Sequence, residues 1–312
     1  MKNMQNACLR RCRKQSRNLL WAGFYFLHPK LFSNFSKHPL PLKPIFPLLL
    51  LFSLSGSAQT YKEYVERGLS QMEHDSLTQA EQTFRQAMQL SPALKSNALL
   101  FRHIGQIQER TGRDHEALES YTLGLNLSPT TLGLLLDRAS LYYRLGNEQR
   151  ALSDYSAVLD LSPDHTEALF FRAHLYTRKQ DYRKARQDYD HLLRLQPTRE
   201  DALQGFCLLN AKDRRPREAM EVVNNLIQLY PHHATNYLLR GGMELQEKQY
   251  EVALYDFDKA VELAPENPDA YLSRGECYLS MKKKKQAKKD LQRALELGAD
   301  RQYVMQLMRQ LK

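Results

Sequence analysis

The sequence has few of the residues that build disulfides or reactive thiol sites. It contains four cysteines and one tryptophan among 312 residues. Cys8 and Cys12 lie in an N-terminal segment that we expect to be removed, so Cys207 and Cys277 remain, 70 residues apart. A disulfide needs Cα atoms closer than about 7 Å, and the repeat described below places several helices between these two residues. We therefore expect both to be unpaired thiols that fill the core.

Sequence motifs for catalysis or metal binding are also missing. There is no HExxH, no GxSxG, no phosphate-cradling glycine loop, and no cysteine with a histidine base in reach. His232 and His233 adjoin Pro231 in an expected turn, without a third ligand at a metal-site spacing. We therefore predict that the chain is not an enzyme and needs neither cofactor nor metal.

Acidic residues do not occur in residues 1–58, which hold nine Lys or Arg. The formal charge of the whole chain is +10, so residues 59–312 carry a net charge of only +1. A nearly neutral body with both signs interspersed offers little field for binding by counterion release. We expect no nucleic acid partner.

The apolar run within this leader is too short to span a membrane. It extends over residues 45–54, follows Lys43, and leads to the small residues of 56–58. This is the order of a secretory signal peptide, whereas a spanning helix needs about twenty apolar residues. We expect cleavage near Ala58 and Gln59, export to the periplasm or cell envelope, and a mature chain without a membrane span. An uncleaved anchor and an organellar transit peptide are the alternatives.

Two series of residues recur along the rest of the chain with a period of 34. A leucine two residues before a proline marks the end of six units, at Leu90, Leu127, Leu161, Leu195, Leu229 and Leu263. An alanine series keeps the same intervals and adds a seventh unit, at Ala80, Ala117, Ala151, Ala185, Ala219, Ala253 and Ala287. Agreement between two independent series indicates a true internal repeat.

Each unit also places a small residue twelve positions before the alanine and, in nearly every unit, a large apolar one four positions after it. Repeat two has Gly105 and Tyr121 at these positions, and repeat three has Ala139 and Tyr155. Small residues let two helices approach closely, the aromatic fills the space between them, and proline ends the second helix. The pattern resembles the tetratricopeptide repeat. The resemblance implies an all-α, right-handed solenoid of helix-turn-helix units.

Seven such repeats account for residues 61–299. Their expected bounds are 61–94, 98–131, 132–165, 166–199, 200–233, 234–267 and 268–299. Residues 300–312 follow as a capping helix, because Gly298 suits a helix end, Asp300 suits a helix start, and an apolar stripe follows. A solenoid needs this cap because its last repeat would otherwise expose an apolar face to water.

Arginine at the seventh position of a repeat occurs together with aspartate at the twenty-third. The pairs are Arg138 with Asp154, Arg172 with Asp188, Arg240 with Asp256 and Arg274 with Asp290. Repeats two and five have neither member of the pair. Because the two residues are present together or absent together in these six repeats, we expect them to bind each other between the two helices rather than to bind a ligand.

The resemblance implies that the first helix of each repeat lines a concave groove that binds a partner. The predicted partner-binding residues are Arg102, Gln106, Leu136, Ser140, Tyr143, Phe170, His174 and Gln204. We expect an exported adaptor or assembly factor that holds a peptide or helix of a partner protein. The alternative is a structural subunit of a cell-envelope complex that packs through its convex face.

Repeat five is expected to be the weakest unit. Asn210 replaces the tyrosine of repeats three, four and seven, Val223 replaces the helix B aromatic, and Phe206 and Val222 replace the Arg and Asp pair. These changes reduce the apolar area and the polar bonds of the unit, so we expect the solenoid to bend there.

Overall fold

The computed structural model describes residues 48–311, and these residues form α-helices joined by short turns. The fifteen helices are α1 (Leu48–Glu73), α2 (Leu77–Leu90), α3 (Asn97–Arg110), α4 (Asp114–Leu127), α5 (Leu132–Arg144), α6 (Glu148–Leu161), α7 (Thr166–Arg178), α8 (Tyr182–Leu195), α9 (Glu200–Lys212), α10 (Pro216–Leu229), α11 (Ala234–Gln246), α12 (Tyr250–Leu263), α13 (Pro268–Ser280), α14 (Lys284–Glu296) and α15 (Arg301–Arg309). Odd-numbered helices α1 to α13 are helix A of repeats one to seven, and the even-numbered ones are helix B. The predicted all-α repeat solenoid is confirmed.

Helix α1 is longer than one repeat requires. It begins at Leu48, whereas the first repeat is expected to begin at Tyr61. The expected cleavage point after Ala58 therefore falls inside a helix. Residues 1–47, which contain most of the leader, lie outside the described residues. No helix within the described part of the chain is long and apolar enough to cross a membrane.

Close approach of helices A and B explains the small residue in each repeat. A Cβ atom on Gly68 would lie 2.5 Å from the Phe84 ring, and one on Gly105 would lie 2.4 Å from the Tyr121 ring. Both rings are fully buried. The glycine thus lets the aromatic ring of helix B contact helix A where a side chain would otherwise lie.

The turn between helices A and B contains one residue in the left-handed conformation in every repeat. It is Gly112 and Gly146 in repeats two and three, each with φ of 78°. The other five repeats use a residue with a side chain there, with φ between 57° and 62°, namely Asp75, Gln180, Arg214, Lys248 and Lys282. Glycine is the residue best suited to this conformation, so these five turns are locally less favourable.

The four predicted Arg and Asp pairs are confirmed. Arg172 donates from Nε and Nη2 to the two carboxylate oxygens of Asp188, over 2.8 and 2.7 Å. The pairs in repeats three, six and seven have the same two-bond geometry, with lengths of 2.7 to 2.9 Å. Nη1 also reaches helix B of the preceding repeat, for example from Arg240 to Asn224 over 2.9 Å. Each of these arginines therefore joins three helices and connects two repeats.

Repeat five is built without this arginine. Phe206 stands in its place and lies under the guanidinium of Arg186, 5.3 Å from ring centre to Cζ. Asn210 is fully buried and accepts a hydrogen bond from Arg186 over 2.8 Å, but its Nδ2 atom has no partner among the described residues. An unpaired buried donor destabilises a fold, so repeat five combines a smaller core with an unsatisfied polar group.

A buried carboxyl group marks repeat six. Glu244 is 6% exposed, and its Oε2 atom has no hydrogen-bond partner among the described residues. Burial and the charge of Asp256 raise the pKa of Glu244 to about 7, although the charge of Arg240 acts to lower it. The group therefore changes charge near neutral pH.

Helix α15 covers the end of the array. Its Val304 and Leu307 are buried against Leu291 and Ala294 of α14, and Asp300 accepts a hydrogen bond from the backbone N–H of Tyr303 over 2.8 Å. Tyr303, on the same helix, is 41% exposed. Its hydroxyl donates to Glu276 over 2.5 Å.

Candidate partner-binding surface

The A helices form the inner face of the array. Neighbouring A helices pack closely in repeats two and three, four and five, and six and seven, whereas no two B helices do so in the described residues. An array curves toward the side on which its elements lie closer together. The predicted binding residues all lie on A helices.

Arg102 and Gln106 join repeats two and three. Arg102 Nε donates to Asp137 over 2.7 Å, and Gln106 Nε2 donates to the same oxygen over 2.8 Å. Burial acts to lower the pKa of Arg102, but the bond to Asp137 and its charge outweigh it and raise the pKa. The first role of both residues is to hold neighbouring helices in register.

Tyr143 and His174 form an aromatic contact at the surface between repeats three and four. Their ring centres are 5.8 Å apart with the rings nearly perpendicular, and Phe171 packs against Tyr143 at 5.3 Å. Both Tyr143 and His174 are half-buried. Burial and the nearby charges of Arg178 and Lys212 lower the pKa of His174 to about 4. The imidazole is therefore neutral at physiological pH and offers an aromatic, hydrogen-bonding contact.

Leu136 and Ser140 adjoin this contact on helix α5. Ser140 is exposed and Leu136 is half-buried. With Tyr143, which lies one turn further along the same helix, they form a strip of mixed polarity on the inner face of repeat three.

Phe170 does not belong to the accessible surface. Its side chain is 5% exposed, because it packs edge-on against Phe171 at 5.3 Å and against Tyr189 at 6.5 Å. The guanidinium of Arg199, at the end of repeat four, covers it at 5.3 Å. The expectation that Phe170 contacts a partner is therefore corrected, because neighbouring rings bury it.

Gln204 is held in the junction of repeats five and six. It donates to the buried Asn236 over 2.8 Å and to Glu200 over 3.1 Å. Glu200 also bonds to His233 over 2.7 Å. Gln204 thus belongs to a polar network between repeats, and its amide is occupied in the unbound protein.

Sequence reasoning did not identify Asp137, Phe171 or Asn236, which position these side chains. Each occurs at a repeat position where its type appears once, so no periodic signal marks it. The sixth position of the repeat, which holds both Asp137 and Phe171, turns out to support the inner face.

Neither of the two remaining cysteines has the surroundings of a reactive thiol. Cys207 and Cys277 are buried and unpaired, as expected. Burial raises the pKa of Cys207 to about 12 and that of Cys277 to about 11, so both are protonated. Among the described residues, no group of three His, Cys, Asp or Glu could hold a metal ion.

Comparison with known proteins identifies the repeat. Models of the tetratricopeptide repeat match residues 136–200, 210–268 and 244–311. A tetratricopeptide repeat protein from Parabacteroides merdae is 30% identical over 81% of this chain and 99% of its own, with a TM-score of 0.69. No curated protein matches the chain.

Two further structures share the fold at low identity. The C-terminal part of a TPR repeat-containing protein from Cytophaga hutchinsonii is 12% identical over 78% of this chain and 99% of its own, with a TM-score of 0.59. A chain of the APC/C heterotetramer Cut9–Hcn1 is 13% identical over 85% of this chain and 56% of its own, with a TM-score of 0.57.

Proposed function

The chain belongs to the tetratricopeptide repeat family, and we propose that it is an exported adaptor or assembly factor that binds a peptide or helix of a partner protein in its concave groove. The repeat is a protein–protein interaction module and is typically a scaffold without catalytic activity.

The observation that carries the groove proposal is the accessible strip of Leu136, Ser140, Tyr143 and His174. Aromatic side chains with a polar tip are favoured in protein interfaces, because they give large contact area and lose little conformational entropy. The flanking residues Arg102, Gln106 and Gln204 are bonded between repeats, which keeps the strip in a fixed shape. A pre-formed surface loses less freedom on binding.

Export is proposed from the sequence of the leader. The short apolar run of 45–54 and the small residues before Gln59 support it. An exported adaptor would meet its partner in the periplasm or cell envelope.

The test is a pull-down from the cell envelope with the mature chain and two matched double variants. Tyr143→Ala with His174→Ala truncates the groove strip, and Val252→Ser with Tyr255→Ser changes the convex face. We expect the groove variant to weaken capture of the partner at least tenfold, since truncated central aromatics typically have such effects. The convex variant should capture it as the unchanged protein does, and the reverse result would refute the groove proposal.

The second candidate is a structural subunit that packs through its convex face. Val252 and Tyr255, one turn apart on α12, are 51% and 68% exposed. The same positions in the other repeats hold polar or charged residues. An exposed apolar pair confined to one repeat is the observation that favours this candidate, and loss of capture by the convex variant alone would support it.

A further inference from the structure

We infer that the turns of repeats four and five form a second interaction surface, which binds an acidic segment of a partner polypeptide. We call this surface the basic edge and define it as residues 178–184 and 212–218. It contains eight Lys or Arg and three acidic residues. It adjoins the groove without being part of it, so the inference goes beyond the proposed function and can fail independently.

Cations in the equivalent turns of repeats two and three are mostly paired. Arg110 binds Asp75, Arg113 binds Glu81 and Glu116, and Arg144 binds Asp114 and Glu109. That part of the same edge is therefore neutralised by the chain itself.

The basic edge differs because five of its eight cations make no ion pair with any described side chain. These five are Lys179, Arg183, Lys212, Arg214 and Arg217, and Lys179 donates a hydrogen bond to the neutral Gln149. Four of them are exposed and Lys212 is half-buried. Their charge is therefore available to another molecule.

The positions of these cations are unfavourable for local structure. Arg214 occupies the left-handed position at φ 57°, where repeats two and three have glycine. Arg217 and Arg183 lie in the first turns of α10 and α8, where the helix dipole disfavours positive charge. The first turns of α4 and α6 carry Asp or Glu, whereas that of α8 carries neither. In α10, Glu218 follows Arg217 directly. Residues that oppose local stability and together form one charged surface indicate a role in binding.

A shallow depression with a volume of about 310 Å³ lies on this surface between α8 and the turn of repeat five. Arg183, Arg186 and Arg215 line it together with Asp190 and Asp213. Asp213 accepts bonds from Arg186 over 3.1 Å and from Arg215 over 3.0 Å. The lining is thus close to neutral and the excess charge surrounds it. This arrangement admits one side chain of a partner and attracts acidic residues on either side.

The occupant is a polypeptide rather than a lipid surface, because the basic edge lacks apolar side chains that insert into a bilayer. None of the large exposed apolar residues of the described chain lies in 178–184 or 212–218. Peripheral membrane helices combine basic residues with exposed Trp, Phe or Leu. A surface that offers positive charge without large exposed apolar side chains suits an acidic peptide segment.

The experiment compares binding of two labelled peptides, (Glu-Ser-Gly)6 and (Gln-Ser-Gly)6, to the full chain at low ionic strength. The test variant is Arg183→Gln, Arg214→Gly and Arg217→Gln combined. It removes three unpaired cations and places at 214 the residue that repeats two and three use. The control variant, Lys95→Gln, Arg301→Gln and Arg309→Gln, removes the same charge from exposed sites elsewhere. Thermal unfolding of both variants is measured alongside.

We expect the Glu peptide to bind and the Gln peptide not to bind, with binding weakened by added salt. The test variant should lose about tenfold or more in affinity, given three exposed charge pairs, while its unfolding temperature stays the same or rises. The control variant should keep its affinity. Equal loss in both variants, or equal binding of both peptides, overturns the inference. Binding to vesicles of 30% phosphatidylserine in phosphatidylcholine without binding of the Glu peptide also overturns it, in favour of a membrane surface. Groove variants at Tyr143 and His174 should leave Glu-peptide binding unchanged, which separates the two proposals.

Discussion

Breaking the Arg172 and Asp188 pair should reveal how strongly the two helices of a repeat depend on it. Asp188 is 5% exposed and accepts two charge-assisted hydrogen bonds. A hydrogen bond to a charged group contributes about 1.5–3 kcal/mol to stability. Removal of one partner from a fully buried pair destabilises by about 3–5 kcal/mol. The Arg172 side chain keeps 21% exposure, so water can reach it when Asp188 is absent. We therefore expect Arg172→Ala or Asp188→Ala each to lower the free energy of unfolding by about 2.5 kcal/mol. The double variant should lose about 3.5 kcal/mol, a coupling of about 1.5 kcal/mol.

The assay is urea unfolding followed by circular dichroism, fitted with nearest-neighbour terms because a repeat array need not unfold in one step. Hydrogen exchange then locates the loss, which should be confined to repeat four and its neighbours. Arg194→Ala, an exposed arginine on α8, serves as the control and should change the free energy of unfolding by less than about 0.5 kcal/mol. Additive losses of about 5 kcal/mol in the double variant would show that the pair does not act as a unit and would refute the reasoning.

Three further predictions concern stability and processing. Amide hydrogens of residues 200–233 should exchange before those of repeats four and six, because the unpaired Asn210 amide and the smaller core weaken that unit; equal protection of all three would contradict this. Glu244 has a folded pKa above its ordinary value, so the stability that its proton contributes is complete below about pH 4.5 and is lost as pH rises through about 7. Chemical denaturation at pH 5 and pH 8 should show this loss in the unchanged protein and a smaller one in Glu244→Gln; parallel pH profiles would exclude Glu244 as the cause. Intact mass of the native protein should correspond to a chain beginning near Gln59, whereas a full-length species would remove the export proposal.

The periodic features of the fold could be predicted from the sequence because they occur many times. Arg172 and Asp188 are 16 residues apart, and the same spacing recurs in three other repeats, so their contact follows from the pattern alone. The proline and alanine series likewise predict the helix pairs. Repetition separates these signals from chance.

Features that occur once could not be read in this way. Asp137 binds Arg102 from the next repeat, but nothing in the spacing distinguishes it from the other acidic residues of the chain. Phe170 occupies a position of the inner face, and only the surrounding rings, including that of Tyr189, show that it is buried. The left-handed conformation of Arg214 was hidden because its position is glycine in only two repeats. Side-chain packing between particular neighbours decides these cases, and it depends on three-dimensional context rather than on period.

The missing arginine of repeat five has a mechanical consequence. Elsewhere, arginines such as Arg240 tie helix A to the middle of the preceding helix B. Between repeats four and five, Arg186 reaches Asn210 and Asp213 near the turn. At the opposite edge of the junction, the Tyr230 hydroxyl donates to the backbone carbonyl of Thr198. Neither bond lies in the middle of the junction, where Phe206 replaces the arginine. A bending force on the two ends of the array should therefore deform this junction before the others.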